Sequence, residues 1–73
     1  MKYTVLLRPG NESGYVATVP VLPGCVSQGQ TKREALRNIK DAISMYIEAL
    51  LEDGLQVPTE AAKELVEIEV TAR

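Results

Sequence analysis

The 73-residue chain contains no histidine, tryptophan or phenylalanine, one cysteine and three tyrosines. Without histidine, a single copy can build neither a Ser-His-Asp triad, nor a Cys-His dyad, nor a histidine metal site. A lone cysteine closes no internal disulfide and no cysteine-rich zinc site, and it suits a reducing compartment. Three tyrosines are too few for a platform that stacks several bases. No apolar run approaches the roughly 20 residues of a membrane span. Met1-Lys2-Tyr3-Thr4 opens no long apolar signal-peptide core. The expectation is a cytoplasmic chain without membrane contact, in which the sequon-like Asn11-Glu12-Ser13 is chance.

What is present is ordinary for a soluble globular protein: 45% hydrophobic and 25% charged residues. The length predicts one domain, residues 1–73, small enough to gain from self-association. Its net charge of −2 is unevenly spread. Residues 1–40 hold six basic and two acidic residues, net +4, whereas residues 41–73 hold two and eight, net −6. Such asymmetry suits a charged partner; it also suits two halves that lie side by side and neutralise each other.

Residues 2–8 are rich in strand formers, with Tyr3, Val5 and Leu7 on one face and Thr4, Leu6 and Arg8 on the other. Pro9-Gly10-Asn11-Glu12-Ser13-Gly14 is a turn by composition, and residues 14–19 complete a hairpin. Pro20 stops that strand. Residues 20–24 form a stiff connector, in which Pro23 biases Leu22 to extended geometry. Residues 25–28 predict a short third strand, broken by Gly29.

The helix is the clearest element. Thr31 and Glu34 form a T-x-x-E capping box. Leu36, Ile39, Ile43, Ile47 and Leu50 then recur at three- and four-residue spacing. Gly54 stops the helix and Pro58 follows. A helix over residues 31–53 is roughly 33 Å long at 1.5 Å per residue. Strands of six residues reach only about 20 Å, so one helix end overhangs and needs a neighbour. Thr59 to Lys63 suggests a helical turn. Residues 64–70 then alternate, Val66, Ile68 and Val70 facing one way and Glu67 and Glu69 the other, which predicts a half-buried strand. The expected class is α+β with order β-β-β-α-β. A right-handed crossover sets the last strand parallel to the first, in a four-stranded sheet of spatial order 3-2-1-4 with the helix on one face. Leu6 and Val16, left on the uncovered face, are candidate self-association residues, for which a homodimer is the default symmetry.

Motifs that carry chemistry are few. Gly24 to Thr31 nearly spells the phosphate-binding loop G-x-x-x-x-G-K-[ST], but Gln30 stands where the phosphate lysine is needed. A strand followed by an N-cap explains the same residues. Lys32, Arg33, Arg37 and Lys40 begin the helix, while Glu48, Glu52 and Asp53 end it, against the preference of the helix dipole. That pattern reads either as a solvated face or as docking surface for charged partners. Glu67, Glu69 and Asp41 are the carboxylates considered for a magnesium site, and none converges with another by spacing. Cys25 reads as a small buried hydrophobe, with no base to activate it. The expectation is no catalytic residue, no metal and no cofactor.

With these residues in place, the chain resembles the HicB family of antitoxins, from HicA–HicB toxin–antitoxin systems. The resemblance covers nearly the whole chain. It rests on Tyr3-Thr4-Val5, Gly14-Tyr15-Val16-Ala17, Pro20-Val21-Leu22-Pro23-Gly24-Cys25, Ser27-Gln28-Gly29 with Thr31, and Glu34-Ala35-Leu36 with Asn38-Ile39-Lys40 and Ala42-Ile43. The chain departs from the pattern at Val21 and Gln30, where the family often has Asp, and at Arg33, where it has an acid. The resemblance implies a truncated RNase H-like fold without nuclease activity. It also implies a HicA-type toxin, a small basic RNA-cleaving protein, as the partner to be neutralised. Many family members continue into a DNA-binding domain; this chain resembles only the toxin-binding half, so operator DNA binding is not expected of it. Glu48, Glu52, Asp53, Glu67 and Glu69 are the expected acidic docking residues, with Leu51 and Leu55 as apolar anchors. The competing functions are an RNase H-like nucleic-acid enzyme and an orphan regulatory or ligand-binding module.

Overall fold

A computed structural model describes every residue except Lys63, Leu65 and Arg73. Three short strands are followed by one long helix: β1 (Leu6–Pro9), β2 (Tyr15–Thr18), β3 (Val26–Gly29) and α1 (Lys32–Glu52), then a single 3₁₀ turn at Glu60–Ala62. The sheet is antiparallel with order β1-β2-β3. Leu6 pairs with Thr18, and Thr18 in turn with Val26. The alternation of side chains then sets Ala17 on the inner face, under the helix, and Leu6, Val16 and Val26 on the outer face.

The helix begins and ends as the sequence predicts. The Thr31 hydroxyl accepts from the Glu34 N–H at 3.1 Å. The Glu34 carboxylate reaches back one residue further than the usual box, to the Gln30 N–H at 2.9 Å. At the other end Gly54 takes φ +68°. Its N–H bonds the Leu51 carbonyl, and the Leu55 N–H bonds the Leu50 carbonyl at 2.9 Å, the paired closure of a Schellman motif.

α1 packs on β3 and β2. The core between them is Ala17, Val19, Val21, Leu22, Cys25, Ala35 and Ile39. Leu22 and Ile39 are its largest fully buried side chains. The connector over residues 20–24 is thus not merely a spacer. It folds into successive turns, Leu22 N–H to the Val19 carbonyl and Cys25 N–H to the Leu22 carbonyl, which drive Leu22 into the core. The Tyr46 hydroxyl donates to the Pro23 carbonyl at 2.7 Å and holds this loop against the helix. The Asn38 side chain donates to the Gln28 carbonyl at 2.8 Å and ties β3 to α1.

Among the described residues the expected fourth strand is not present. The sheet has three strands, all antiparallel, so the order β-β-β-α-β with a 3-2-1-4 sheet and a parallel last strand is corrected to β-β-β-α. The truncated RNase H-like arrangement goes with it. Residues 66–70 carry no regular secondary structure, and Val66, Ile68 and Val70 are 69, 79 and 79% exposed. Leu65, part of that expected strand, lies outside the described residues. The reason is where the chain turns after the helix. The Tyr3 hydroxyl donates to the Pro58 carbonyl at 2.7 Å, and both the N–H and the hydroxyl of Thr4 bond the Glu60 carboxylate. These bonds, two from side-chain hydroxyls and one from the Thr4 N–H, pin residues 58–60 beside Tyr3 and Thr4, before β1 begins, so the chain passes that point without laddering along Leu6–Pro9. Alternation specifies a strand-like segment but not the edge it joins. The helical turn expected from Thr59 is present as the 3₁₀ turn; Lys63, its expected end, lies outside the described residues.

Gly29 generates a stability prediction. A Cβ there would sit 2.5 Å from the Ala35 nitrogen and 2.8 Å from the Glu34 carbonyl carbon. Both are backbone atoms that cannot swing away. Gly29→Ala is expected to destabilise the fold by about 2 kcal/mol or more, read as a lowered urea midpoint.

Candidate functional site

The expected docking residues fall into two places. Glu48, Leu51, Glu52 and Asp53 lie on the last turns of α1 and its cap, with Leu55 just beyond Gly54, and all are exposed. Leu51 is 62% exposed and Leu55 54%. The closing turn described above brings Leu55 back over Leu50, so these residues share one end of the molecule. No base stands in the last turn. Three carboxylates therefore add to the negative end of the helix dipole instead of being offset by it. Glu67 and Glu69 lie on the exposed segment after the 3₁₀ turn. No described contact joins them to the helix end. Leu6, 56% exposed, and the half-buried Val16 share the outer sheet face.

The remaining motifs resolve into structure. Gly29 and Thr31 serve the close packing and capping of α1. The Gln30 N–H, where a phosphate loop would hold its anion, is already bonded to the Glu34 carboxylate. Lys32 lies over the Tyr15 ring, 5.7 Å from its centre. A polar cleft of about 510 Å³ runs from the β1–β2 turn past Arg8 and Gln28 to Glu34. Among the described residues, no three of the Cys, Asp and Glu side chains gather as a metal site would require, and Asp41 is exposed on the helix. No described helix is long and apolar enough to cross a membrane.

Sequence reasoning did not anticipate a second surface. α1 covers β2 and β3 but leaves the β1 side open. There an apolar groove of about 370 Å³ runs between the chain leading into β1 and the helix, lined by Tyr3, Val5, Leu36, Ile39, Ile43 and Ile47. Its signal was available: Leu36, Ile39, Ile43 and Ile47 extend the helix stripe beyond what three short strands can cover.

The described surface is thus that of a small β-β-β-α domain with an apolar groove and an acidic helix end. A family model described as HicB-like antitoxin of bacterial toxin–antitoxin systems matches residues 3–71, and the chain belongs to that family. It is 49% identical over 65 residues to the UPF0150 protein Ta0767 of Thermoplasma acidophilum, covering 89% of this chain and 94% of that one. It is 50% identical over 58 residues to the UPF0150 protein ssr1765 of Synechocystis, covering 80% and 73%. A protein named Antitoxin HicB 1, from Photorhabdus laumondii, is 38% identical over 58 residues, which are 80% of this chain but 37% of that protein.

Cys25 is 5% exposed, and burial pushes its thiol pKa above the ordinary cysteine value. The folded state therefore prefers the neutral thiol. A raised folded pKa contributes stability that is complete below the unfolded value, about 8.5, and is lost as pH rises beyond it. Urea midpoints are expected to fall above about pH 8.5 in the wild type and less so in Cys25→Ala. A thiol reagent should label Cys25 quickly only after unfolding.

Proposed function

We propose that this chain is a non-enzymatic, cytoplasmic antitoxin, which binds and neutralises a small basic RNA-cleaving toxin of HicA type. The observation that carries the reading is the family match over residues 3–71. The name of the Photorhabdus relative agrees with it over the shared 58 residues. A protein that grips RNA phosphates must be basic. The acidic helix end, Glu48, Glu52 and Asp53, offers it complementary charge, and Leu51 and Leu55 offer exposed apolar anchors beside that charge. Glu67 and Glu69 add a second acidic strip. Charge of this kind chiefly speeds encounter and selects partners, while affinity comes from the anchors. The antitoxin acts as a homodimer or larger assembly, with Leu6 and Val16 of the outer sheet face contributing to self-association.

The test looks for a small basic HicA-type ribonuclease in the neighbouring reading frames and combines it with the purified chain. Adding one equivalent of this protein should arrest RNA cleavage. Lysine at Glu48 and Glu52, or at Glu67 and Glu69, should slow association about ten-fold at low salt and flatten its salt dependence. Failure to bind or inhibit the ribonuclease overturns the function. Unchanged association rates in both variants would remove only the acidic docking surface.

A separate assay addresses catalysis. RNA, DNA and RNA–DNA hybrid incubated with this protein in magnesium or manganese should all remain intact. Cleavage that survives repurification and disappears in an acid-to-amide variant would show an enzyme instead.

A further inference from the structure

The apolar surface of the groove beside the chain leading into β1 does not stop at Ile47. Ile39, Ile43 and Ile47 line it at four-residue spacing, and the next member of that row is Leu51, 62% exposed. The neighbouring row, Leu36, Lys40 and Ser44, forms the helix wall of the groove and continues into Glu48 at the acidic end. Rows of this four-residue spacing are the ridges against which a second helix packs. From Leu36 to Leu51 the surface is about 22 Å long, which a partner helix of about 15 residues spans. Along the wall the charge changes sign from Lys40 to Glu48 within about 12 Å.

Size, backbone and charge decide what lies there. The helix end alone is too small an interface: stable partners bury about 20 residues or more a side, whereas Glu48, Leu51, Glu52, Asp53 and Leu55 are five. The groove is the apolar surface contiguous with them. A partner strand has no ladder to join beside it, because residues 1–5 carry no regular secondary structure and the Thr4 N–H is already bonded to the Glu60 carboxylate. The chain's own residues 66–70 stay out of the groove: Val66, Ile68 and Val70 are exposed although Pro58 and Glu60 are anchored at Tyr3 and Thr4. That segment carries Glu67 and Glu69, which three carboxylates at the helix end repel and one lysine on the wall attracts. The same holds for the segment of a second copy. A basic partner has the opposite preference.

We propose that the groove takes an amphipathic helix of the basic toxin, its apolar stripe lying on Ile39, Ile43, Ile47 and Leu51 and its basic residues at the end that meets Glu48 and Glu52. The proposal rests on the antitoxin function above and extends it: the docking surface is one face of α1 from Leu36 to the C-cap, not the last turn alone. A helix held in a groove draws its affinity from buried apolar anchors. The acidic end speeds encounter and sets which way round the partner helix lies.

The experiment makes Ser44→Cys on the groove wall and, in a second full-length chain, Val26→Cys on the outer sheet face. Alkylation by iodoacetamide is followed with and without one equivalent of the small basic ribonuclease. Cys25 is buried in both chains; it should react slowly throughout, which reports that each chain is folded. The ribonuclease should slow alkylation of Ser44→Cys about ten-fold or more and leave Val26→Cys unchanged. Independently, Leu36→Asp should weaken binding about 100-fold through faster dissociation, with Cys25 still slow and the association rate at low salt near that of the wild type. Bound ribonuclease that leaves Ser44→Cys as reactive as in the free chain would overturn the groove and keep the antitoxin function. No binding by the wild-type chain would overturn both. Protection of Ser44→Cys in the free chain would also overturn the proposal, in favour of the chain's own residues 66–70 where it is independent of concentration and of a second copy where it grows with concentration.

Discussion

The close approach of Gly29 to the first turn of α1 is the constraint on which the rest of the structure depends. Backbone meets backbone there, with no room for a side chain. The helix must therefore start on top of β3, and the Asn38 bond to the Gln28 carbonyl keeps it there. From that start its path lies over β3 and β2. β1 receives no such cover. The apolar stripe of a 21-residue helix is wider and longer than four-residue strands can hide, and the surplus becomes the groove. One glycine contact thus decides both where the core is and where an apolar surface remains open.

The core depends on a loop as much as on the sheet. Short strands supply few inward side chains, and Ala17 is the only β2 residue that is fully buried. Leu22 and Val21, from the proline-bounded connector, fill the space that a longer strand would have filled. Such a loop must satisfy its own backbone groups, because buried N–H and C=O groups are costly when unpaired. The turn bonds between Val19, Leu22 and Cys25 do this. The Tyr46 hydroxyl bond to the Pro23 carbonyl fastens the loop to the helix.

Local signals in the sequence proved legible where the physics is local. The cap at Thr31, the stop at Gly54 and the hairpin turn each follow from residues within five positions of one another. The helix came out one residue shorter at each end than 31–53. Tertiary outcomes were less legible. The spacing around Pro20 and Pro23 marks a rigid connector, yet nothing local says that Leu22 turns inward. The alternation through Val66, Ile68 and Val70 marks a strand-like segment. Its pairing depended on a strand edge more than 50 residues away, and the bonds from Tyr3 and Thr4 to Pro58 and Glu60 fix only where the chain passes the start of that strand. The acidic residues at the helix end were legible as exposed, because charges without partners stay in water. The groove was not, since it exists only once the helix has been placed by Gly29.

The same placement answers the question raised by the uneven charge. Two halves of opposite sign could neutralise each other if they lay side by side. Here much of the separation runs along one rigid rod. Lys32 and Arg33 begin α1 and Glu48 and Glu52 end it, about 24 to 30 Å apart at 1.5 Å per residue. That is about three screening lengths at physiological salt, so the two ends act on their surroundings separately. The nearest helix base, Lys40, lies about 12 Å from Glu48, still beyond one screening length, so the last turn keeps most of its negative field. The helix dipole reinforces that end, because no lysine or arginine occupies the last turn to cancel it. What reduces the intrinsic stability of the helix is thus what makes one end of the molecule electrostatically distinct from the other.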